Sequence, residues 1–266
     1  MSKIEISVVM AVHNCELSYL KESIESILNQ SYKNFELVVV DDINNKSVTT
    51  YLSQLVESNK KVTLIRNNKN IGLTKSLIIA VNAARGEYIA RQDSDDISNL
   101  NRLKAQMEYL HSNPKTVLLG TSYNIIYKEN IVAERQQPLT HKDIIRAFLS
   151  SNPFIHTSVI FSKEIYIKIG GYNKFCKYSQ DFDLWPKFIR YGLLANLPDV
   201  LVSRRLNTNS VSMKFRSNIY QSFIGAKVRF RERELFDEKY LILKIFLLAI
   251  KQHLSLYINL IRLKKK

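Results

Sequence analysis

Three aspartates crowd into Asp93-Ser94-Asp95-Asp96, and two more, Asp41-Asp42, close an apolar run upstream. In an extended segment the spacing of Asp93 and Asp95 puts both carboxylates on one side. Close carboxylates repel unless a cation or hydrogen-bond donors offset them. A hard divalent ion such as Mg2+ meets that need, because it takes one or two carboxylates and completes its shell with water and substrate phosphates. Asp is also common at helix starts, so the cluster equally fits a cap for the helix expected from Leu100. D-x-D by itself is a weak motif and favours the cap. Its position directly after a buried strand, with Asp42 at another strand end, favours the metal.

The elements that must hold these groups follow from hydrophobic period. Ile6 to Val12 is a short apolar run of the buried-strand kind, and Leu20, Ile24, Ile27 and Leu28 form a helical stripe. Residues 35–40 predict a second strand stopping at Asp41-Asp42, 50–58 a helix and 62–65 a third strand. A helix over 73–84 follows, with Gly86 suited to the left-handed residue past its end, then a fourth strand over 87–91. This alternation predicts βαβ units and a parallel sheet. Ligands of such sheets sit beyond the carboxyl ends of the strands, which here carry His13-Asn14, Asp41-Asp42, Arg66-Asn67 and the 93–96 cluster. Further on, the pattern predicts helices over 100–111, 163–169 and 181–191, with Pro186 near the start of the last, and strands over 117–127 and 158–161. Two long helical patterns, 217–236 and 240–262, carry most of the late basic residues.

With 266 residues and 45% hydrophobic content, the chain can bury one large core or two smaller ones. Lys and Arg total 39 against 24 Asp and Glu, a net charge of +15 that points to an anionic partner: nucleic acid, an acidic membrane face or a phosphorylated substrate. Cys15 and Cys176 make no disulfide framework and fit a reducing compartment. The first apolar run is too short to span a membrane and lacks signal-peptide flanks, so a cytoplasmic location is expected. No zinc-knuckle spacing, RNP-like aromatic strand or homeodomain pattern is present. The turn His13-Asn14-Cys15-Glu16-Leu17 lacks the glycine fingerprint of a Rossmann oxidoreductase.

Five stretches carry a family resemblance: residues 6–14, Val38 to Asp42, Asn68 to Leu73, Gly86 to Asp96, and Gln180-Asp181-Phe182-Asp183-Leu184-Trp185. In this order they resemble family 2 glycosyltransferases over roughly residues 4–212. The resemblance implies an α/β, Rossmann-like GT-A fold: a mostly parallel central sheet flanked by helices, with a helical C-terminal extension. A composition shift near residue 213, where the resemblance ends, divides the chain into a glycosyltransferase domain, 1–212, and a basic helical region, 213–266. Within the domain, 1–98 would be the nucleotide-binding half and 99–212 the acceptor half. It further implies that Asp42 contacts the nucleotide base, that Asp93 lies near the ribose with Ser94 beside it, and that Asp95 binds Mn2+ or Mg2+ bridging the diphosphate. Ala11 and Val12 would meet the nucleotide mainly through backbone atoms, and Asn68, Gly72 and Lys75 would line its pocket. Asp181 matches the catalytic base. Three positions depart from the family pattern: Gln180 replaces Glu, His13 replaces Tyr, and Asn207 replaces the His of a late Arg-x-His motif.

An acceptor hydroxyl is a poor nucleophile and needs a carboxylate to take its proton, which is the role expected of Asp181. Its alternative is capping its own helix, which Ser179 would equally serve, while Asp183 reads as a first-turn surface acid. A metal at Asp95 would offset the charge on the leaving nucleoside diphosphate. One base and one metal on opposite sides of the anomeric carbon imply in-line displacement with inversion. Arg204 and Arg205 are candidates to pair with phosphate, His156 reads as a buried hydrogen-bonded histidine, and Trp185 as core. The expected partners are a nucleotide-sugar donor, a UDP-sugar first, and a glycan or lipid-linked acceptor in surface polysaccharide biosynthesis, with no nucleic acid. Leu241, Ile242, Ile245, Phe246, Leu248 and Ala249 form an apolar face with lysines nearby, which fits weak contact with an anionic membrane at its inner face. A solvated face is the alternative. Two competing functions stand beside the hexosyltransferase: a non-catalytic relative, prompted by Gln180 and Asn207, and a basic protein that binds anions or nucleic acid.

Overall fold

The computed structural model describes residues 3–206 apart from residue 149, so the helices expected over 217–236 and 240–262, Asn207 and the apolar face at 241–249 lie outside the described residues. The first half alternates as its periods predict: β1 (Ile6–Val12), α1 (Leu17–Leu28), β2 (Phe35–Asp41), α2 (Lys46–Ser58), β3 (Val62–Arg66), α3 (Leu73–Ala83) and β4 (Tyr88–Arg91). Every residue of β1 and β2 is buried, which is why both read as continuous apolar runs instead of alternating ones. α2 begins before the predicted residue 50 because Asn45 caps it, its side chain accepting from the Val48 amide at 3.0 Å.

The second half comprises β5 (Ile97–Ser98), α4 (Arg102–Ser112), β6 (Thr116–Tyr127), β7 (Asn130–Arg135), α5 (His141–Ala147), β8 (Ile160–Ser162), α6 (Lys163–Lys168), α7 (Gln180–Leu184) and β9 (Leu193–Arg205). The sheet runs β3-β2-β1-β4-β8-β6-β9-β5, with β7 paired to β6. It is parallel from β3 to β4. Beyond that it is mixed, since β8 is antiparallel to both β4 and β6 while β9 is parallel to β6.

Three sequence expectations change here. The helix expected over 181–191 is α7 followed by a 3-10 segment, Trp185–Arg190, because Pro186 has no amide to donate. The strand expected from Ser158 starts at Ile160, after a 3-10 turn over His156–Ser158. β9 was not predicted: Pro198 interrupts its pattern, and the structure absorbs Pro198 and Asp199 in a register shift, Leu197 facing Thr121 and Val200 facing Ser122.

Gly86 is not left-handed. It is needed because β1 passes directly beside it: a Cβ there would stand 2.7 Å from the Ile6 carbonyl carbon and 2.8 Å from Ser7 Oγ. The Gly86 amide donates to Ser7 Oγ (2.7 Å), and Ser7 Oγ donates to the buried Glu36 carboxylate (2.7 Å), which Arg85 pairs at 2.6 Å. Gly86→Ala is expected to cost roughly 2–4 kcal/mol, because backbone and not a flexible side chain must yield. An unchanged urea midpoint would show that β1 and the 84–87 turn separate easily.

Candidate active site

The strand ends converge as their order along the sheet requires. Asp42 is buried, and its Oδ1 accepts from Asn67 Nδ2 (2.8 Å) and the Ile71 amide (2.9 Å), its Oδ2 from the Gly72 amide (2.9 Å). One carboxylate thus shapes the whole 67–72 loop, with Gly72 at φ +87°, a conformation glycine takes without steric cost. A carboxylate offers about four lone-pair sites, so a ligand N–H still has one to use. His13 Nδ1 lies 2.7 Å from the Asp42 carbonyl and 3.0 Å from that of Ile43. Carbonyls only accept, so Nδ1 carries the proton and Nε2 accepts from Asn70 Nδ2 at 2.8 Å. Ile43, a β-branched residue at φ 60°, marks backbone strain at this rim.

The other expected nucleotide contacts surround this point. Ala11 and Val12 end β1 in the core, and the Val12 carbonyl already accepts from the Asp42 amide (2.9 Å) and Asn44 Nδ2 (2.8 Å). Asn68 and Lys75 are exposed, on the loop and on the first turn of α3. Ser94 is tied to the β1 end through Cys15, whose thiol reaches its carbonyl at 3.5 Å. Both cysteines are free.

None of the 93–96 aspartates caps α4, whose N-cap is Asn101 without a side-chain bond. Asp93 pairs with the fully buried Arg91 at 2.5 Å. Burial opposes its charge, but Arg91, with His156 and Arg204, outweighs it and holds the carboxyl below its usual range. Asp95 is pushed up to about 6, first by burial and then by the Asp93 charge. Asp96 is buried, accepts the Arg205 amide at 2.8 Å and lies well above its usual range, again through burial first. Asp95 is the one of the three whose carboxylate accepts a hydrogen bond from no other residue among the described residues. No group of three His, Cys, Asp or Glu among the described residues forms a metal cage. The site therefore fits a hard divalent ion that binds one destabilised carboxylate and takes its other ligands from water and phosphate.

Arg205, a candidate to pair with phosphate, is engaged by carboxylates instead. Its guanidinium is covered and engaged by Glu22 (2.6 Å) and Glu129 (3.1 Å), over the Tyr19 ring. Arg204 lies close enough to act electrostatically on Asp93, Asp95 and Asp96.

Asp181 occupies the first turn of α7 but does not cap it. Its Oδ2 accepts from Asn152 Nδ2 at 2.6 Å, and Ser179, at φ 54°, makes no side-chain cap bond. His156 bonds the Tyr172 hydroxyl at 2.8 Å and packs edge-on to Trp185. Burial, then Arg91, lowers its pKa to about 4, while Asp181 and Asp93 pull it the other way. Two carboxylates far apart in sequence thus act on one imidazole. The same pair acts on Tyr172. Asp183 is not a surface acid: its side chain is covered and pairs with Lys187 at 3.3 Å. Sequence reasoning assigned no role to Arg91, Arg102, Asn152 or Tyr172. An arginine ending a buried strand is a readable signal, since arginines are almost never fully buried unless paired; Arg102, opening a helix, gives none.

A surface cavity of about 510 Å³ between α1 and α2, lined by Leu17, Lys21, Lys46, Ser47, Thr50, Tyr51 and Gln54, contains none of these groups. Among the described residues no helix is long and apolar enough to cross a membrane.

The family model for Glycosyl transferase family 2 matches residues 7–170. A putative glycosyltransferase EpsE of Bacillus subtilis is 33% identical over 220 residues, covering 81% of this chain and 77% of that protein. The O-antigen biosynthesis glycosyltransferase WbnJ of Escherichia coli is 31% identical over 217 residues, covering 77% and 81%. Among solved structures, TarS of S. aureus in complex with UDP-GlcNAc superposes with a TM-score of 0.71 at 17% identity, over 89% of this chain and 69% of that one. In another TarS structure the chain spans 42% of that protein's length. A mannosyltransferase of Pyrobaculum calidifontis in complex with GDP-Man and Mn2+ superposes with a TM-score of 0.65 at 16% identity, over 85% and 64%.

Proposed function

We propose that this chain, which belongs to glycosyl transferase family 2 and is a glycosyltransferase, moves a sugar from a nucleotide-diphospho-sugar, a UDP-sugar first, to a glycan or lipid-linked acceptor with inversion. The observation that carries this is the grouping of Asp93 and Asp181 around His156, with Asp95 left as an unmatched, destabilised carboxylate. Asp42 and the loop it holds take the base, Asp93 the ribose, and Asp95 a divalent ion. When bound, that ion supplies positive charge opposite the departing diphosphate. Asp181 takes the proton of the acceptor hydroxyl; Asn152 holds one of its oxygens, which leaves the other to act. His156 stays neutral beside them, a fixed dipole and not a second base. The names of the similar proteins and the divalent metal in one solved neighbour support assembly of surface polysaccharide with Mn2+ or Mg2+. Weak contact with an anionic membrane rests on the basic sequence beyond residue 212.

The test is a thermal-shift panel of UDP-, GDP- and dTDP-sugars with and without Mn2+. At least one donor should raise the melting temperature by several degrees in a metal-dependent way, as ligands that bind only the folded state do. No shift with any donor, together with salt-dependent binding to random DNA, would favour the basic nucleic-acid-binding alternative.

A further inference from the structure

We propose that Arg91 is the positioning residue of the donor site: from the buried end of β4 it fixes the Asp93 carboxylate in place and acts on the donor only through Asp93. β4 lies in the sheet interior between β1 and β8, and Arg91 closes it with no exposed surface, following the buried Ile89 and Ala90. A guanidinium there is costly to desolvate, and an apolar residue would serve the packing better. Its return is local. Nη2 donates to Asp93 Oδ1 at 2.5 Å and Nη1 to the Val9 carbonyl at 3.3 Å, while Nε is buried without a partner.

The Asp93 side chain keeps about a third of its surface open. One oxygen is therefore held from below, and the rest of the carboxylate faces the site. Arg102 makes the arrangement stiff. Its guanidinium is fully buried and donates to the Arg91 carbonyl (2.8 Å), Gln92 Oε1 (2.9 Å) and Ser98 Oγ (2.9 Å), tying the backbone before the acidic cluster to side chains on both sides of it. Those acceptors are neutral, so among the described residues the carboxylate bonded by either of these two guanidinium groups is that of Asp93. A charge-assisted bond of this kind sets direction as well as position.

The inference rests on the reading of Asp93 as a donor contact, and the experiment separates the two. Binding of UDP, or of GDP or dTDP if the wild type prefers it, is measured by calorimetry with Mn2+ for Asp93→Asn, Arg91→Lys, Arg91→Met and the Arg91→Met/Asp93→Asn double variant, each checked for cooperative melting. Asp93→Asn and Arg91→Lys should each weaken binding roughly tenfold, the scale of one charge-assisted hydrogen bond. The double variant should bind within about twofold of the weaker single one, because partners in one unit are not additive. If Arg91→Met does not melt cooperatively, Arg91→Lys/Asp93→Asn replaces the double variant. Wild-type affinity in Arg91→Lys, or losses that multiply in the double variant, would overturn the role given to Arg91. Wild-type affinity in Asp93→Asn would instead remove Asp93 from the donor site, and the inference with it. A wild type that binds no nucleotide defeats the functional proposal itself.

Discussion

Asp181→Asn is expected to lower transfer between about a hundredfold and ten-thousandfold, the range that general-base removal covers, while donor affinity stays within about twofold. The substitution keeps shape and volume. Asn152 can still donate to the new amide oxygen as it does to Oδ2 at 2.6 Å, so melting temperature should hardly move. His156 does not take over the role. It is held near pKa 4 by burial and by Arg91, and losing the Asp181 charge removes one of the influences that raise it. Single-turnover transfer and calorimetric donor binding on the same preparation check both halves. Turnover near that of the wild type would move the base elsewhere and leave Asp181 as a partner of Asn152 only.

Asp95→Asn should have opposite effects on binding and on stability. Metal-dependent donor affinity should disappear, because no other carboxylate of the cluster lacks a partner. The ligand-free protein should become more stable above pH 6. The carboxyl is pushed up from 3.8 to about 6, so the folded state keeps a proton that the unfolded chain releases. The contribution of Asp95 to folding stability therefore falls as pH rises from about 4 to 6, and its deficit is complete above that window. Removing the carboxylate should recover about 1–3 kcal/mol at pH 7.5, allowing for solvent screening, and nothing at pH 3.5.

His156 works in the reverse sense over almost the same range. Lowered from 6.5 to about 4, it contributes stability that is present above its unfolded value and lost as pH falls through the folded one. In the wild type the two slopes largely cancel. Asp95→Asn should remove the opposing slope of Asp95, so that stability drops more steeply than in the wild type on acidification from about pH 6.5 to 4. Urea denaturation across that range measures it; a variant no more stable than wild type at pH 7.5 would show that Asp95 is not destabilised in the ligand-free protein.

Much of the site was legible because it lies where local patterns end. β1, β2 and β4 are short, mostly apolar runs, and the polar residues that follow them, His13, Asp42 and the 93–96 cluster, are brought to one rim by parallel pairing. Other features were hidden for physical reasons. Gly86 looked like a helix-end glycine, because sequence shows what precedes a residue and not which strand passes beside it. Arg205 looked like a phosphate ligand because a basic residue near an acidic motif carries no sign of Glu22 and Glu129, which reach it only in the folded chain. Asp183 and Asp181 are two residues apart on one short helix, yet only packing decides that one pairs with Lys187 and the other with Asn152.

The sequence by itself determined the βαβ half, the order of its strand ends and the residue types that gather there, since each depends on short-range period and on the chemistry of single side chains. Tertiary structure alone decided which aspartate is paired, which is buried with a backbone donor and which is left unmatched. Those fates depend on Arg91, Arg204 and Arg205, and in a low-dielectric interior a carboxylate's charge is set by the neighbours packed against it and not by its own place in the motif.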